Sequence, residues 1–413
     1  MKIAVVNWRD PWHPQAGGAE TFAWELARRF ARAGHPVCFV TARAPGQSRS
    51  ESVEGVRFVR MGGVFTVYPL VLGWLLLRLG RFDAVLDCQN GIPFFTPWVV
   101  RRRTRVLCVV HHVHDRQFGV HMPGWLAAVG RFLEGPVSRW SYRRHESVAV
   151  SPSTVLAMRE RLGWTGPVHI VPNGVSVPEP GEPGEPGEPG EPGEPGEPDA
   201  PGEPVKSGVP RLVCLGRLVA HKRVHLLLDA VPELRKRWPG LVVDVIGRGP
   251  EEAALRERLP EGVTLHGYLP EEDKARLVAR AWLHVSASQG EGWGLSVLEA
   301  AALGVPTVAF DVDGLRDAVR HGETGWLLPE GTDLAKGIGA ALDELDHTYT
   351  VKCREWAGRF SWDRSAERLI ALMHGRDPGP APGLEPGLDP APDVRPGPGL
   401  AAAPDSGPGG EVR

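Results

Sequence analysis

The sequence predicts two α/β domains, each a doubly wound parallel sheet of Rossmann-like type, facing one another across a cleft. Three observations lead there. At 413 residues the chain exceeds one ordinary core and suits two. A Gly-Glu-Pro repeat from Pro178 to Pro204 divides it. On either side of that repeat the chain opens with the same grammar: an apolar strand, a loop with glycine, an amphipathic helix and a second strand.

In the first block, residues 1–177, Ile3–Asn7 reads as a strand and is followed by a polar loop with Gly17-Gly18. Phe22, Leu26 and Phe30 then recur at i, i+4 spacing with Glu25, Arg28, Arg29 and Arg32 outward, which predicts a helix. Gly34 and Pro36 end it, and Val37–Thr41 is the next strand. The apolar run Val64–Leu77 is shorter than the roughly 20 residues a bilayer span needs, and it carries Pro69 and Gly73. It reads either as a buried helix or as a surface that touches a membrane. Val106–Val110 is a further strand, ending at His111-His112.

Residues 178–207 lack the apolar side chains of a core and read as an extended, self-repelling linker. In the second block, residues 208–375, Arg211–Leu215 is a strand, Gly216–Arg223 a loop, Val224–Arg237 a helix and Leu241–Ile246 a strand. Strands over Trp282–Ala287 and Thr307–Phe310 follow. The Pro/Gly/Ala-rich residues 376–413 read as a disordered tail.

Five scattered cysteines without a C-x-x-C pair indicate neither a zinc site nor a disulfide framework, so a reducing cytoplasm is expected. The N-terminus has a strand pattern and not that of a secretory leader. The net charge of −3 hides an asymmetry: residues 1–177 carry 22 Lys/Arg against 11 Asp/Glu. A basic first block predicts an anionic partner, either a membrane surface at the inner face or a phosphorylated acceptor. Nucleic acid ranks last because no binding motif accompanies the charge.

The residues that carry chemistry fall at strand ends, where ligands bind in such folds. The segment from Glu291 to Pro306 runs from a glycine-containing loop into a helix starting near Leu295. Unpaired N–H groups at that helix start suit a phosphate on Gly294, Leu295 and Ser296. Glu291 and Glu299 can accept hydrogen bonds from sugar hydroxyls, although a capping Glu291 and a solvated Glu299 explain the pattern equally well. In the loop after the block's first strand, Arg217 offers a fork and Lys222 a point charge for phosphate oxygens. Gly247, in Gly247-Arg248-Gly249, permits close backbone approach, and Tyr268 can line a base pocket. Glu252 stands where a dinucleotide fingerprint needs its third glycine, which disfavours a nicotinamide enzyme.

Together these motifs resemble the retaining GT-B glycosyltransferases of family 4, over nearly the whole chain apart from linker and tail. The resemblance rests on Glu291 and Glu299 separated by seven residues, on Gly216-Arg217 with Lys222, on Gly17-Gly18, and on Pro172-Asn173-Gly174-Val175. It implies that Arg217 and Lys222 hold the donor diphosphate, that Glu299 binds the ribose and that Glu291 contacts the transferred sugar. It also implies that Gly18 approaches the phosphates from the other domain. A histidine at a strand end near the reacting centre is implied too, with His111 favoured over His112. No cofactor and no metal ion is expected. The implied function is transfer of a hexose-type sugar from a UDP- or GDP-sugar to an acceptor, with retention of configuration. Glycolipid, cell-envelope or polysaccharide synthesis is the expected setting. Two departures stand out: Asp317 where glutamate is more usual, expected to preserve the turn, and Trp293 in place of phenylalanine, expected to reshape the sugar pocket. A nucleotide-sugar epimerase-like GT-B enzyme and a non-catalytic nucleotide-sugar-binding protein are the alternatives.

Overall fold

The computed structural model describes residues 1–115, 118–119, 123–176 and 208–381. The linker, residues 178–207, and the tail beyond residue 381 lie outside the described residues. The first sheet is built from β1 (Ile3–Val6), β2 (Val37–Thr41), β3 (Ser50–Val53), β4 (Val56–Arg60), β5 (Ala84–Gln89), β6 (Arg105–Val110), β7 (Glu146–Ala149) and β8 (Val168–Ile170). Its order is β3-β4-β2-β1-β5-β6-β7-β8, parallel except for the β3–β4 hairpin at the edge. β1, β2 and β5 are buried along their whole length, as strands covered by helices on both faces must be. The edge hairpin was not anticipated. Its turn is Glu54-Gly55, both with positive φ, the backbone that a two-residue hairpin demands.

Helix α1 (Gly18–Arg32) buries Phe22, Leu26 and Phe30 on the first sheet. Helix α2 (Val67–Leu76) buries one face of its apolar run and leaves the other exposed. Val67, Val71 and Leu75 are buried, whereas Leu70, Leu76 and the following Leu77 are exposed. Helix α3 (Gly124–Phe132) passes through a π-turn at Leu133–Val137 into α4 (Ser138–Tyr142), and α5 is Pro152–Leu162. No described helix is long and apolar enough to cross a membrane.

The second sheet contains β9 (Arg211–Leu215), β10 (Val242–Ile246), β11 (Val263–Gly267), β12 (Leu283–Ser286), β13 (Thr307–Phe310) and β14 (Gly325–Leu328). All are parallel, in the order β11-β10-β9-β12-β13-β14. The strand order reverses beside β9, so its loop opens the crevice in which such sheets bind ligands. Helix α6 (Val224–Arg237) follows that loop, with α7 (Glu252–Arg256), α8 (Glu271–Ala279), α9 (Leu295–Ala302) and α10 (Leu315–Ala318) next in chain order. The last three are α11 (Leu334–Glu344), α12 (His347–Ala357) and α13 (Trp362–Met373).

Helix α13 departs from the division of the chain at the linker. Although it lies within residues 208–375, it packs on α1, and Trp362, Leu369 and Met373 share a buried cluster with Phe22 and Phe30. Ser365 donates to the Pro172 carbonyl at 2.7 Å and Arg368 to the Ile170 carbonyl at 3.2 Å. The chain therefore crosses between domains twice, once through the linker and once before α13. The first residues assigned to the tail are also held, since Arg368 donates to the carbonyls of Pro378, Gly379 and Pro380.

Candidate functional site

The loops leaving β9 and β12 build one wall of the cleft. Gly216 and Gly247 touch backbone to backbone: Gly247 has φ of +146°, and a methyl group there would overlap the Gly216 carbonyl oxygen. That contact fixes the path of the loop carrying Arg217 and Lys222, which line a small cavity with Ser286 and Ser288. Lys222 forms an ion pair with Glu291, and the Ser288 hydroxyl donates to the same carboxylate at 2.6 Å. Burial alone would raise the Glu291 carboxyl, but Lys222 and the Ser288 hydroxyl outweigh it and hold Glu291 below its ordinary value. Glu291 is therefore an anchored carboxylate and not a helix cap.

Helix α9 begins at Leu295, directly after Gly294, whose φ of +88° turns the chain into the helix without a side-chain cap. The N–H groups of Leu295 and Ser296 take no carbonyl partner within the helix, whereas that of Val297 already donates to the Gly294 carbonyl at 3.0 Å. Glu299, one turn on, is half-buried and receives Lys274 of α8 at 3.4 Å. Burial opposes the charge on Lys274, yet the Glu299 and Glu271 carboxylates prevail and raise its pKa.

The first domain supplies the opposite wall. The loop after β1 brings Gln15 and Gly17 to Arg217, which donates to the Gln15 carbonyl at 3.2 Å and packs its guanidinium against Gly17. Arg9 donates to the same carbonyl at 3.1 Å, so a guanidinium from each domain converges on one oxygen. Glu20, buried in α1, accepts the Gly17 N–H at 2.8 Å and holds the loop in place. Gly18 starts α1 with open space where a side chain would be.

After β6 the two histidines diverge. The His111 ring sits edge-on to Phe22, and its buried Nε2 has no hydrogen-bond partner among the described residues. His112 turns toward Gly290 at the cleft and senses the Glu291 charge. Burial drives both rings down to about 3, so each is neutral at physiological pH. A methyl group on Gly292 would overlap the His111 carbonyl oxygen, which shows how tightly the two walls meet.

The structure thus brings together Gly17, Arg217, Lys222, Glu291 and the histidine pair, with Gly294, Leu295 and Ser296 next along the chain from Glu291. Tyr268 is not gathered with them; it stands 66% exposed after β11. Gly247 acts through the loop beside it. Trp293 corrects an expectation: its ring is buried against Phe360 in the core shared by the two domains, not in a sugar pocket. Asp317 does more than keep a turn, for it accepts the Ser153 N–H at the start of α5 and ties the domains at 3.0 Å. Arg9, Lys274 and Ser288 were not singled out from the sequence. Arg9 and Ser288 carried the one usable signal, a position within three residues of a strand's carboxyl end.

Comparison with known proteins places the chain in a family. Residues 16–178 match the model of Glycosyltransferase Family 4, and residues 209–344 that of Glycosyl transferases group 1. A glycogen synthase of Mycobacterium tuberculosis is 26% identical over 92% of this chain and 97% of its own length. A phosphatidyl-myo-inositol mannosyltransferase of Mycobacterium leprae is 25% identical over 86% of this chain and 92% of its own. Among solved structures, sucrose-phosphate synthase from Thermosynechococcus elongatus superposes with a TM-score of 0.72 at 19% identity, covering 91% of this chain and 98% of that one. The glycosyltransferase WaaG, involved in lipopolysaccharide biosynthesis, superposes at 0.67 with 15% identity over 90% and 100%. These likenesses of sequence and fold converge: the chain belongs to the GT-B glycosyltransferases of family 4 and is a hexose-transferring enzyme.

Proposed function

We propose that the enzyme moves a hexose from a UDP- or GDP-sugar to an anionic acceptor, lipid-linked or phosphorylated, with retention of configuration. The observation that carries this reading is the cavity lined by Arg217 and Lys222, with Lys222 paired to the Glu291 carboxylate and α9 starting shortly after Glu291 in the chain. Two cations and a helix start suit a diphosphate, and the anchored carboxylate beside them suits the hydroxyls of the attached sugar. In this reading Glu299 receives the ribose, as the family resemblance implies.

The reaction breaks the bond between the sugar C1 and the diphosphate oxygen and forms one from C1 to the acceptor oxygen. The acceptor's proton passes to the departing diphosphate. Arg217 and Lys222 stabilise the charge that builds there, so the proposal uses no metal ion or cofactor. The unpartnered His111 Nε2 supports placing that ring against a sugar hydroxyl, since a buried polar atom without a partner costs about 1–3 kcal/mol. Retention follows if the acceptor enters on the face the diphosphate leaves.

An anionic acceptor is supported by the first domain, where Arg43 and Arg49 line a cleft of about 540 Å³ beyond β2 and β4; Arg60, also in its lining, is already paired with Asp10 and Glu51. A cytoplasmic enzyme at the inner membrane face, in glycolipid, cell-envelope or polysaccharide synthesis, fits such an acceptor. The test is calorimetric titration with UDP and GDP, followed by transfer assays with both sugar series. Binding of either nucleotide that falls at least about tenfold, or 1.4 kcal/mol, in Arg217→Ala is the expected result. Unchanged binding in that exposed variant would remove the diphosphate assignment.

A further inference from the structure

The helical rod formed by α3, the π-turn and α4 presents an unusual outward face. Trp125, Val129, Phe132, Pro136 and Trp140 follow one another three or four residues apart, on one side of the rod, and all are exposed. Trp125 is 71% exposed, Phe132 59% and Trp140 58%. The inward side holds Ala127, Gly130, Gly135, Ser138 and Tyr142. A helix on a water-facing surface carries charge on its outer stripe; this one carries aromatics.

The patch continues beyond the rod. The Trp98 ring, itself 53% exposed, lies 6.4 Å from that of Trp140. Exposed Arg101, Arg102 and Arg103 follow in the chain, and the Arg101 guanidinium packs on Gly80, next to exposed Leu77 and Leu79. Arg131, Arg139, Arg143 and Arg144 stand exposed along the rod, with Arg143 over the Trp140 ring at 4.7 Å. The one acidic residue between 124 and 144, Glu134, is fully buried and donates nothing to this face. Burial pushes its carboxyl up to about 8, so it is largely uncharged at neutral pH.

We propose that this face docks the enzyme on an anionic lipid bilayer, with Trp125, Val129, Phe132 and Trp140 at the acyl boundary and the arginines on headgroup phosphates. Aromatic rings favour the depth at which headgroups meet acyl chains, and each arginine near an anionic leaflet adds attraction that salt screens. A protein partner would have to match an apolar centre flanked by these cations, whereas a bilayer of anionic lipid offers both layers at once. The inference deepens the reading of a lipid-linked acceptor and rests on it for its purpose, not for its physics.

The experiment is flotation of the full chain with vesicles of phosphatidylcholine alone or mixed with phosphatidylglycerol. Capture by the mixed vesicles only, weakened by salt, is expected. The double variant Trp125→Ser with Phe132→Ser should lose capture about tenfold or more, and Arg139→Gln with Arg143→Gln should lose the preference for anionic lipid. All four side chains are exposed, so nucleotide binding reports intact folding and should not change. Capture by neutral vesicles to the same extent, no capture, or variants that bind like the parent would overturn the proposal. So would a concentration-dependent dimer that Trp125→Ser abolishes, since the face would then belong to a second copy. Vesicle capture without nucleotide binding would sink the proposed activity and leave the docking face standing; nucleotide binding without capture would do the reverse.

Discussion

At the scale of single residues, Glu291 shows how the site sets its own chemistry. Its carboxyl lies where burial would favour the neutral acid, and Lys222 reverses that balance. Lys222→Met should therefore let burial prevail and move the Glu291 titration upward. The acid limb of UDP or GDP binding should shift to higher pH, with affinity reduced at every pH. An acid limb that stays in place would show that Lys222 does not govern the carboxylate. Gly292 makes a steric prediction. Its Ala variant forces a methyl group onto the His111 carbonyl, an overpacking that typically costs 1–3 kcal/mol. Urea unfolding should show that loss; a midpoint equal to the parent's would mean the domains yield at this contact without cost.

Among elements, α13 binds the architecture together from the far end of the chain. Leu369 is fully buried in the cluster it shares with Phe22 and Phe30. Leu369→Ala should cost about 2–5 kcal/mol, as truncations of buried leucine do. Because α13 packs on the first domain, the loss should appear in that domain's unfolding. If only the second domain is destabilised, the packing of α13 on α1 is not the one that matters. The helix could be found in the sequence from its apolar spacing, but its address could not. Local periodicity states which face is buried, never which sheet buries it. The same limit applies to Trp293, whose neighbour Phe360 lies far along the chain. Strands such as Arg211–Leu215 and Thr307–Phe310, and the helix Val224–Arg237, have the bounds their residue patterns predict. The edge hairpin escaped because Ser50–Val53 is mostly exposed and lacks the apolar run that marks its neighbours.

For the whole molecule, buried histidines tie stability to pH. His111 and His284 are buried and held near 3, far below the ordinary value of about 6.5. Between those values the unfolded chain binds protons that the folded one refuses. Stability should thus fall as pH drops below about 6.5, by up to about 1.4 kcal/mol per unit for each such histidine. Glu291 acts in the same direction at lower pH: its depressed value contributes stability above the ordinary carboxylate range, which is lost as pH falls through the folded value. Thermal melts from pH 7 to pH 5 should show a lower midpoint, partly offset by buried Glu134, whose carboxyl, raised to about 8, contributes in the opposite direction over the same range. A flat profile would mean these rings are protonated in the folded state.

By itself the sequence determined the two doubly wound domains and the place of the crevice, because each follows from short-range patterning, and it singled out Arg217, Lys222, Glu291 and Glu299 as candidates from motif spacing and family resemblance. Only the tertiary structure decided what those residues meet. The pairing of Arg217 with Gln15, of Gly292 with His111 and of Asp317 with Ser153 joins positions more than a hundred residues apart. It likewise decided that Trp125, Phe132 and Trp140 face outward. Periodicity marks an apolar stripe, but whether protein or membrane covers it depends on the packing of the rest of the chain.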